Sequence, residues 1–155
     1  MNDSLTIRRA TSTDAQELAL LRWHGVAEQD DQVVPPHDAA LLAELARLIA
    51  VDLADLDWLV WVAEVHTLVC GMVWVHRIRK VPTATGTPTI GYLTSAYVQA
   101  SYRRHGIMTA LVTQCQADAR HHGLTVLLLS PMTASRRLYE RCGFQVAPYL
   151  EWETR

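Results

Sequence analysis

The sequence predicts an α/β fold, a mixed sheet covered by helices, in one domain spanning residues 1–155. Three observations lead there. The apolar run Trp58–Val65 is followed after two residues by a second run over 68–75, which reads as a β-hairpin. Residues 104–122 carry Ile107, Met108, Leu111, Val112, Cys115 and Ala119 at helical spacing. That helix stands between two strand-like segments, Thr89–Val98 and 124–130, so helix and strand alternate in the C-terminal half.

The elements follow in order. Leu5–Arg9 alternates and predicts a first strand. Thr11-Ser12-Thr13-Asp14 supplies an N-cap, and Thr13 with Gln16 fits a capping box. Ala15, Leu18, Ala19, Trp23 and Val26 then mark a helix. Residues 28–37 are acidic, then Pro-rich, and read as a loop. Asp38 caps a second helix whose apolar stripe is Leu41, Leu45, Leu48 and Ile49. The hairpin turn is His66-Thr67, without the usual Asn-Gly or Asp-Gly. Residues 81–88 hold Pro, Thr and Gly and read as a loop. Gly123 ends the long helix, residues 124–130 form a buried-type strand, and residues 133–142 form a short helix stopped by Gly143. A last strand runs over 145–153, interrupted by Pro148.

Composition narrows the function classes. Half of the 155 residues are hydrophobic, enough for a packed core. The formal charge is −2 and Lys80 is the only lysine, so no basic field argues for nucleic acid. No apolar stretch reaches membrane-spanning length, and Met1-Asn2-Asp3-Ser4 lacks a signal-peptide layout. Cys70, Cys115 and Cys142, odd in number and irregular in spacing, give neither a disulfide framework nor a metal pattern. No metal is expected, and a reducing cytoplasm is the simplest setting.

The most informative local feature is Tyr102-Arg103-Arg104-His105-Gly106, between a strand and the long helix. The first N–H groups of a helix lack partners and the helix dipole makes that end positive. Basic side chains there cost about 0.3–1 kcal/mol per charge when nothing is bound. A polyanion reverses the sign, because the N–H groups, the dipole and the arginines then face the same charge. The turn therefore reads either as a solvated basic loop or as an anion site, and its strand-to-helix setting favours the second. It is neither a Walker loop nor a dinucleotide fingerprint, because Gly106 stands alone.

Two blocks resemble the GNAT-type N-acetyltransferases. The first is Arg103-Arg104-His105-Gly106-Ile107-Met108, similar to the family's Arg/Gln-x-x-Gly-x-Gly/Ala, preceded by Tyr97-Val98-Gln99-Ala100-Ser101-Tyr102. The second is Leu138-Tyr139-Glu140-Arg141-Cys142-Gly143-Phe144, similar to Leu-Tyr-Glu-x-x-Gly-Phe. The resemblance covers essentially the whole chain. It implies a central, mostly antiparallel sheet with a V-shaped splay, flanked by about four helices. Met108 stands where the family has a small residue, and Met132 where many relatives have an Asn.

What the resemblance implies about chemistry is specific. Acetyl-CoA, as cosubstrate, would lie along the backbone of Ala96, Tyr97 and Val98. Its pyrophosphate would meet Arg103, Arg104, His105, Gly106, Ile107, Met108 and Thr109. The N–H of Val98 would polarise the thioester carbonyl, and Tyr139 would serve the departing thiolate as acid. Glu64 is the first candidate for the general base, with His24, His76 and Ser95 behind it. The acceptor would be the amine of a small molecule or peptide, and Glu28, Asp30 and Asp31 would border its site. The alternatives are a non-catalytic acetyl-CoA sensor on the same fold and an interaction domain with no coenzyme. The apolar C-terminal strand offers a homodimer contact.

Overall fold

In the computed structural model, which describes residues 5–29 and 38–148, five strands form one sheet. They are β1 (Leu5–Arg9), β2 (Trp58–Val65), β3 (Leu68–Arg79), β4 (Thr89–Val98) and β5 (Leu124–Leu128), in spatial order β1-β2-β3-β4-β5. The first four pair antiparallel; β4 and β5 pair parallel. A parallel pair needs a crossover, which the helix α3 (Ile107–His121) supplies. The β2–β3 hairpin closes through His66 and Thr67, with φ of 48° and 69°. Two left-handed residues match the twist of the flanking strands. The side chains make that backbone costly, by about 1–2 kcal/mol per residue. The turn holds because both strands are fixed by their neighbours, with Val65 opposite Leu68.

Helices α1 (Ala15–Gln29) and α2 (Ala39–Ala54) cover one face of the sheet. The other face carries α3 and the short α4 (Arg136–Arg141). Alternation in β2 divides its side chains between the layers: Val60 and Val62 lie under α1 and α2, while Leu59, Trp61 and Ala63 lie under α3. This is why β2 reads as a continuous apolar run rather than an alternating one. On α3, Ile107, Leu111, Val112, Cys115 and Ala119 are buried, the expected stripe.

Several expectations are corrected. The cap before α1 is Thr11 rather than Thr13, and its N–H donates to the carboxylate of Asp14 at 2.7 Å. Asp38 caps α2, accepting from the N–H of Ala40 at 2.9 Å. The buried face of α2 turns on Ala46 and Ile49, leaving Leu41 and Leu48 exposed. A helix this rich in Leu and Ala supports two overlapping stripes, and only contact with α1 and β2 selects one. Helix α3 starts at Ile107, because Arg104 and Gly106 have left-handed φ of 66° and 76°. Strand β3 runs on to Arg79, and residues 145–148 form no strand; residues 149–153 lie outside the described ones.

One glycine sets how closely β5 approaches β4. A Cβ on Gly91 would sit 2.6 Å from Leu127 Cδ2 and 2.8 Å from Val75 Cγ1. Both neighbours belong to packed strands. Gly91→Ala is expected to lower stability by about 1–3 kcal/mol, read as a shifted midpoint in chemical denaturation.

Candidate active site

The ladder between β4 and β5 starts at Thr89–Leu124 and ends at Tyr92–Leu128. Beyond it, from Leu93 to Val98, β4 has β3 as its only strand neighbour among the described residues. Local sequence causes the parting on both sides. The chain after β5 reaches Pro131, which has no N–H to give and restricts Ser130 before it. On β4 a bulge intervenes. Tyr97 lies opposite Met72 and Thr94 opposite Trp74, so Ser95 and Ala96 share the single residue Val73. Ser95 takes the strain, with φ of 48°. The extra residue shifts the alternation, so Leu93, Ala96 and Val98 all pack on the α3 side while Tyr97 turns to the α1 side.

The parting opens a cavity of about 290 Å³. Thr94, Ser95 and Ala96 form one wall; Leu129, Ser130 and Pro131 form the other. Met108 enters from the first turn of α3, Tyr139 from α4 and Arg22 from α1. A larger concavity of about 800 Å³ runs outside β5, along α4 and residues 143–148. Tyr139 stands between the two.

At the end of β4 the chain turns through Ala100–Tyr102 and reaches α3. No side chain caps α3, and nothing lies within 4 Å of where a Cβ on Gly106 would be. The N–H of Ala110 is the first to find a helical partner, the Gly106 carbonyl at 3.0 Å. The backbone N–H groups of 107–109 therefore precede the helical ladder. Arg104, His105 and Thr109 are exposed beside them. Arg104 and Gly106 in that turn are both left-handed, a conformation from which anion-binding backbone turns are built.

Tyr139 is held firmly. Its ring packs edge-on to Phe144 at 5.8 Å between centroids. Gly143, with φ of 88°, ends α4 so that the Phe144 N–H donates to the Tyr139 carbonyl at 3.0 Å. Burial pushes the phenol pKa upward, so the hydroxyl stays protonated across neutral pH. Among the described residues no hydrogen-bond partner takes that hydroxyl.

Other residues singled out by sequence fall elsewhere. Glu64 lies on β2 and accepts from Arg8 at 2.8 Å and 3.0 Å; Arg8 also holds Asp14. It is separated from β4 by β3, and it does not line the gap. His76 stacks on Trp58 at 4.5 Å, also away from the gap. Arg103 turns back from the helix end: its Nε donates to the Val98 carbonyl at 2.8 Å and its guanidinium meets Glu28. Glu28 also accepts from the Tyr97 hydroxyl at 2.7 Å. Burial, then Glu28, pushes the Tyr97 phenol up to about 12. Burial works against the Glu28 carboxylate, but Tyr97 and Arg103 outweigh it and keep its pKa low. Ser95 lines the gap as a bulge residue, and Ala96 follows it; Tyr97 and Val98 do not line it. Asp30 and Asp31 lie outside the described residues. Arg22 is the wall residue that sequence reasoning missed; on α1 it had no motif around it.

The sequence model of the Acetyltransferase (GNAT) family matches residues 19–144. The chain belongs to that family. No curated protein matches the chain. Among solved structures, a predicted acetyltransferase from Clostridium acetobutylicum, solved with acetyl-CoA, is 24% identical with a TM-score of 0.77 over 96% of each chain. A GCN5-related N-acetyltransferase from Ralstonia eutropha JMP134 is 21% identical with a TM-score of 0.76, over 97% of this chain and 99% of that one. A ribosomal-protein-alanine N-acetyltransferase from Brucella melitensis biovar Abortus 2308 is 22% identical with a TM-score of 0.72, over 98% and 99%. At these identities the likeness is one of fold. The mixed, splayed sheet with four helices is the fold of GNAT acetyltransferases. Within this family member, no helix of the described residues is long and apolar enough to cross a membrane.

The two neighbouring arginines of the turn have opposite duties, and stability separates them. Arg103→Ala removes the hydrogen bond to the Val98 carbonyl and is expected to cost about 1 kcal/mol. Arg104→Gly relieves a left-handed side chain and is expected to leave the fold as stable or about 1 kcal/mol more stable. Denaturation midpoints of the two variants check this.

Proposed function

We propose that this protein moves an acetyl group from acetyl-CoA to a primary amine by direct attack of the amine on the thioester. The observation that supports the reading most is a coincidence on one strand–turn–helix. The uncapped α3 N-terminus with its free Arg104 lies directly after the strand that lines the gap. Residues 104–109 suit the pyrophosphate, through backbone N–H groups, the helix dipole and the Arg104 side chain. Ala96 on the bulge suits the pantetheine arm through backbone groups that no second strand takes. Arg103 is a positioning residue in this arrangement, because it fixes the end of β4 rather than facing the turn.

Acetyl-CoA supplies an activated acyl group, and the chain's own residues supply orientation and one proton donor. Residues on both sides of the gap hold the amine and the thioester together, which converts an encounter into a first-order step. Tyr139 donates a hydrogen bond from a hydroxyl free of other partners among the described residues. Full proton transfer from a phenol near 10 to a thiolate whose acid is near 8.5 is uphill by about 2 kcal/mol in water. Burial of Tyr139 makes it steeper. The phenol therefore acts by stabilising developing charge on sulfur rather than by giving up its proton early.

Among the described residues lining the gap there is no carboxylate and no imidazole. In this reading the amine reacts in its neutral form, and its own pKa governs the rate. The alternative is an acetyl-CoA sensor without turnover. The unpartnered Tyr139 hydroxyl in the gap favours transfer, since a sensor has no use for it.

Two outcomes test the proposal. Tyr139→Phe is expected to reduce kcat for thiol release about ten- to a hundredfold while leaving acetyl-CoA affinity unchanged. Wild-type protein that binds acetyl-CoA yet releases no thiol with any amine overturns transfer in favour of the sensor. In a pH series, log kcat/KM should rise with pH and level off at the pKa of whichever amine is used. It should show no falling limb below about pH 10, because a raised phenol pKa keeps Tyr139 protonated there. Two amines of different pKa that level off at one shared pH would reveal an enzyme base instead.

A further inference from the structure

We infer that Arg22 selects an acceptor that carries an anionic group, a carboxylate or a phosphate, beside its amine; the inference rests on the transfer reading above. Four of the described arginines pair with carboxylates, and others, Arg77 and Arg104 among them, do not. Arg8 meets Asp14 and Glu64, Arg47 meets Glu44, Arg103 meets Glu28 and Arg136 meets Glu140. Arg22 is half-buried on α1 and lines the gap, yet no carboxylate of the described residues pairs with it. A guanidinium drawn partly out of water and left unpaired is unfavourable, and a ligand anion removes that cost.

The pyrophosphate of the coenzyme is not that anion. Arg22 belongs to α1, which covers one face of the sheet, whereas the α3 N-terminus covers the other. Arg22 of α1 and Met108 of α3 line the gap from its two faces, so with the coenzyme at the α3 end an acceptor would reach the acyl group from the α1 side, where Arg22 stands. The wall around it carries the hydroxyls of Thr94, Ser95 and Ser135. The cavity of about 290 Å³ is at the small end of ligand pockets and on this reading also takes the acyl end of the coenzyme, so the space beside Arg22 is smaller still. A small, polar chamber with one fixed positive charge suits a compact zwitterionic amine. It disfavours a polyamine, which would bring a second like charge to Arg22.

The test compares matched acceptors with wild type, Arg22→Gln and Arg22→Lys. One arm sets L-amino acids against their carboxamides; the other sets O-phosphoethanolamine against ethanolamine. Thiol release from acetyl-CoA gives KM and kcat, and calorimetry on CoA-loaded protein gives affinity even where transfer is absent. The expected result is an anionic member that binds about ten- to a hundredfold more tightly than its neutral partner. Arg22→Gln should erase that preference by raising KM for the anionic member alone, and Arg22→Lys should restore part of it. Which arm shows the preference distinguishes carboxylate from phosphate. Equal use of neutral and anionic members, or equal losses for both in Arg22→Gln, overturns the inference while leaving acetyl transfer standing. No anion-dependent binding to CoA-loaded protein also overturns it. Failure of acetyl-CoA itself to bind removes the transfer reading first, and is recognised separately because it needs no acceptor.

Discussion

Parallel pairing between β4 and β5 stops after Tyr92–Leu128, and the rest of the site depends on that stop. A sheet whose strands pair along their full length leaves no passage from one face to the other. Here Gly91 lets β5 press close where the strands do pair, β5 ends at Leu128, and the bulge at Ser95 turns β4 aside. The crossover then decides what stands beside the opening. Strand β4 ends at Val98, and the helix leading to its parallel neighbour must start at that same end. The N-terminus of α3 and the mouth of the gap are therefore neighbours by topology, as at the carboxyl ends of strands in other parallel units.

Helix α1 forms one wall of the gap, and both of its ends are tied to the sheet by arginine. At the start, Arg8 of β1 holds Asp14 just before the helix and Glu64 on β2. At the far end, Arg103 and Tyr97 hold Glu28. Between them Gly25 lets the helix lie against the Tyr97 ring, where a Cβ would come within 3.2 Å of Cδ2. Partly exposed ion pairs contribute little stability each. Their effect here is geometric: they fix the height and rotation of α1 over β4. Arg22, midway along α1, inherits that placement. The charges of Glu28 and Glu64 are thereby spent on structure, which is why neither is available in the gap.

Much of this fold was legible because its signals are local. The apolar runs of β2 and β4, the stripe on α3, Asp38 before α2 and the Gly143-Phe144 stop after α4 each depend on residues close in sequence. The uncapped basic start of α3 was legible for the same reason, since it is a property of one turn. What sequence could not supply depends on contacts across the sheet. Arg103 and Arg104 are adjacent and chemically alike, and only the position of the Val98 carbonyl and Glu28 separates a clamp from a ligand group. Glu64 read as a candidate base because nothing in its own strand shows that Arg8 of β1 stands opposite. Leu41 and Leu48 of α2 fit a buried stripe by spacing, and only the side that α1 occupies leaves them exposed. Arg22 drew no notice because its meaning comes from the gap it faces, which Leu93–Val98 and residues 129–131 create together.

On the transfer reading proposed above, the chemistry is one of placement. An amine attacking a thioester requires a neutral nucleophile, a fixed carbonyl and some relief for charge arriving on sulfur. A buried carboxylate in the gap would serve the first need, but it would also pair with Arg22 and cancel its field. A wall that keeps Arg22 unpaired cannot also hold a strong base within reach of it. The two requirements compete for the same few hundred cubic ångströms. The described walls of the gap carry hydroxyls, the guanidinium-bearing Arg22 and two phenols, Tyr92 and Tyr139, and neither a carboxylate nor an imidazole. On that reading the site gains its rate from holding reactants in line.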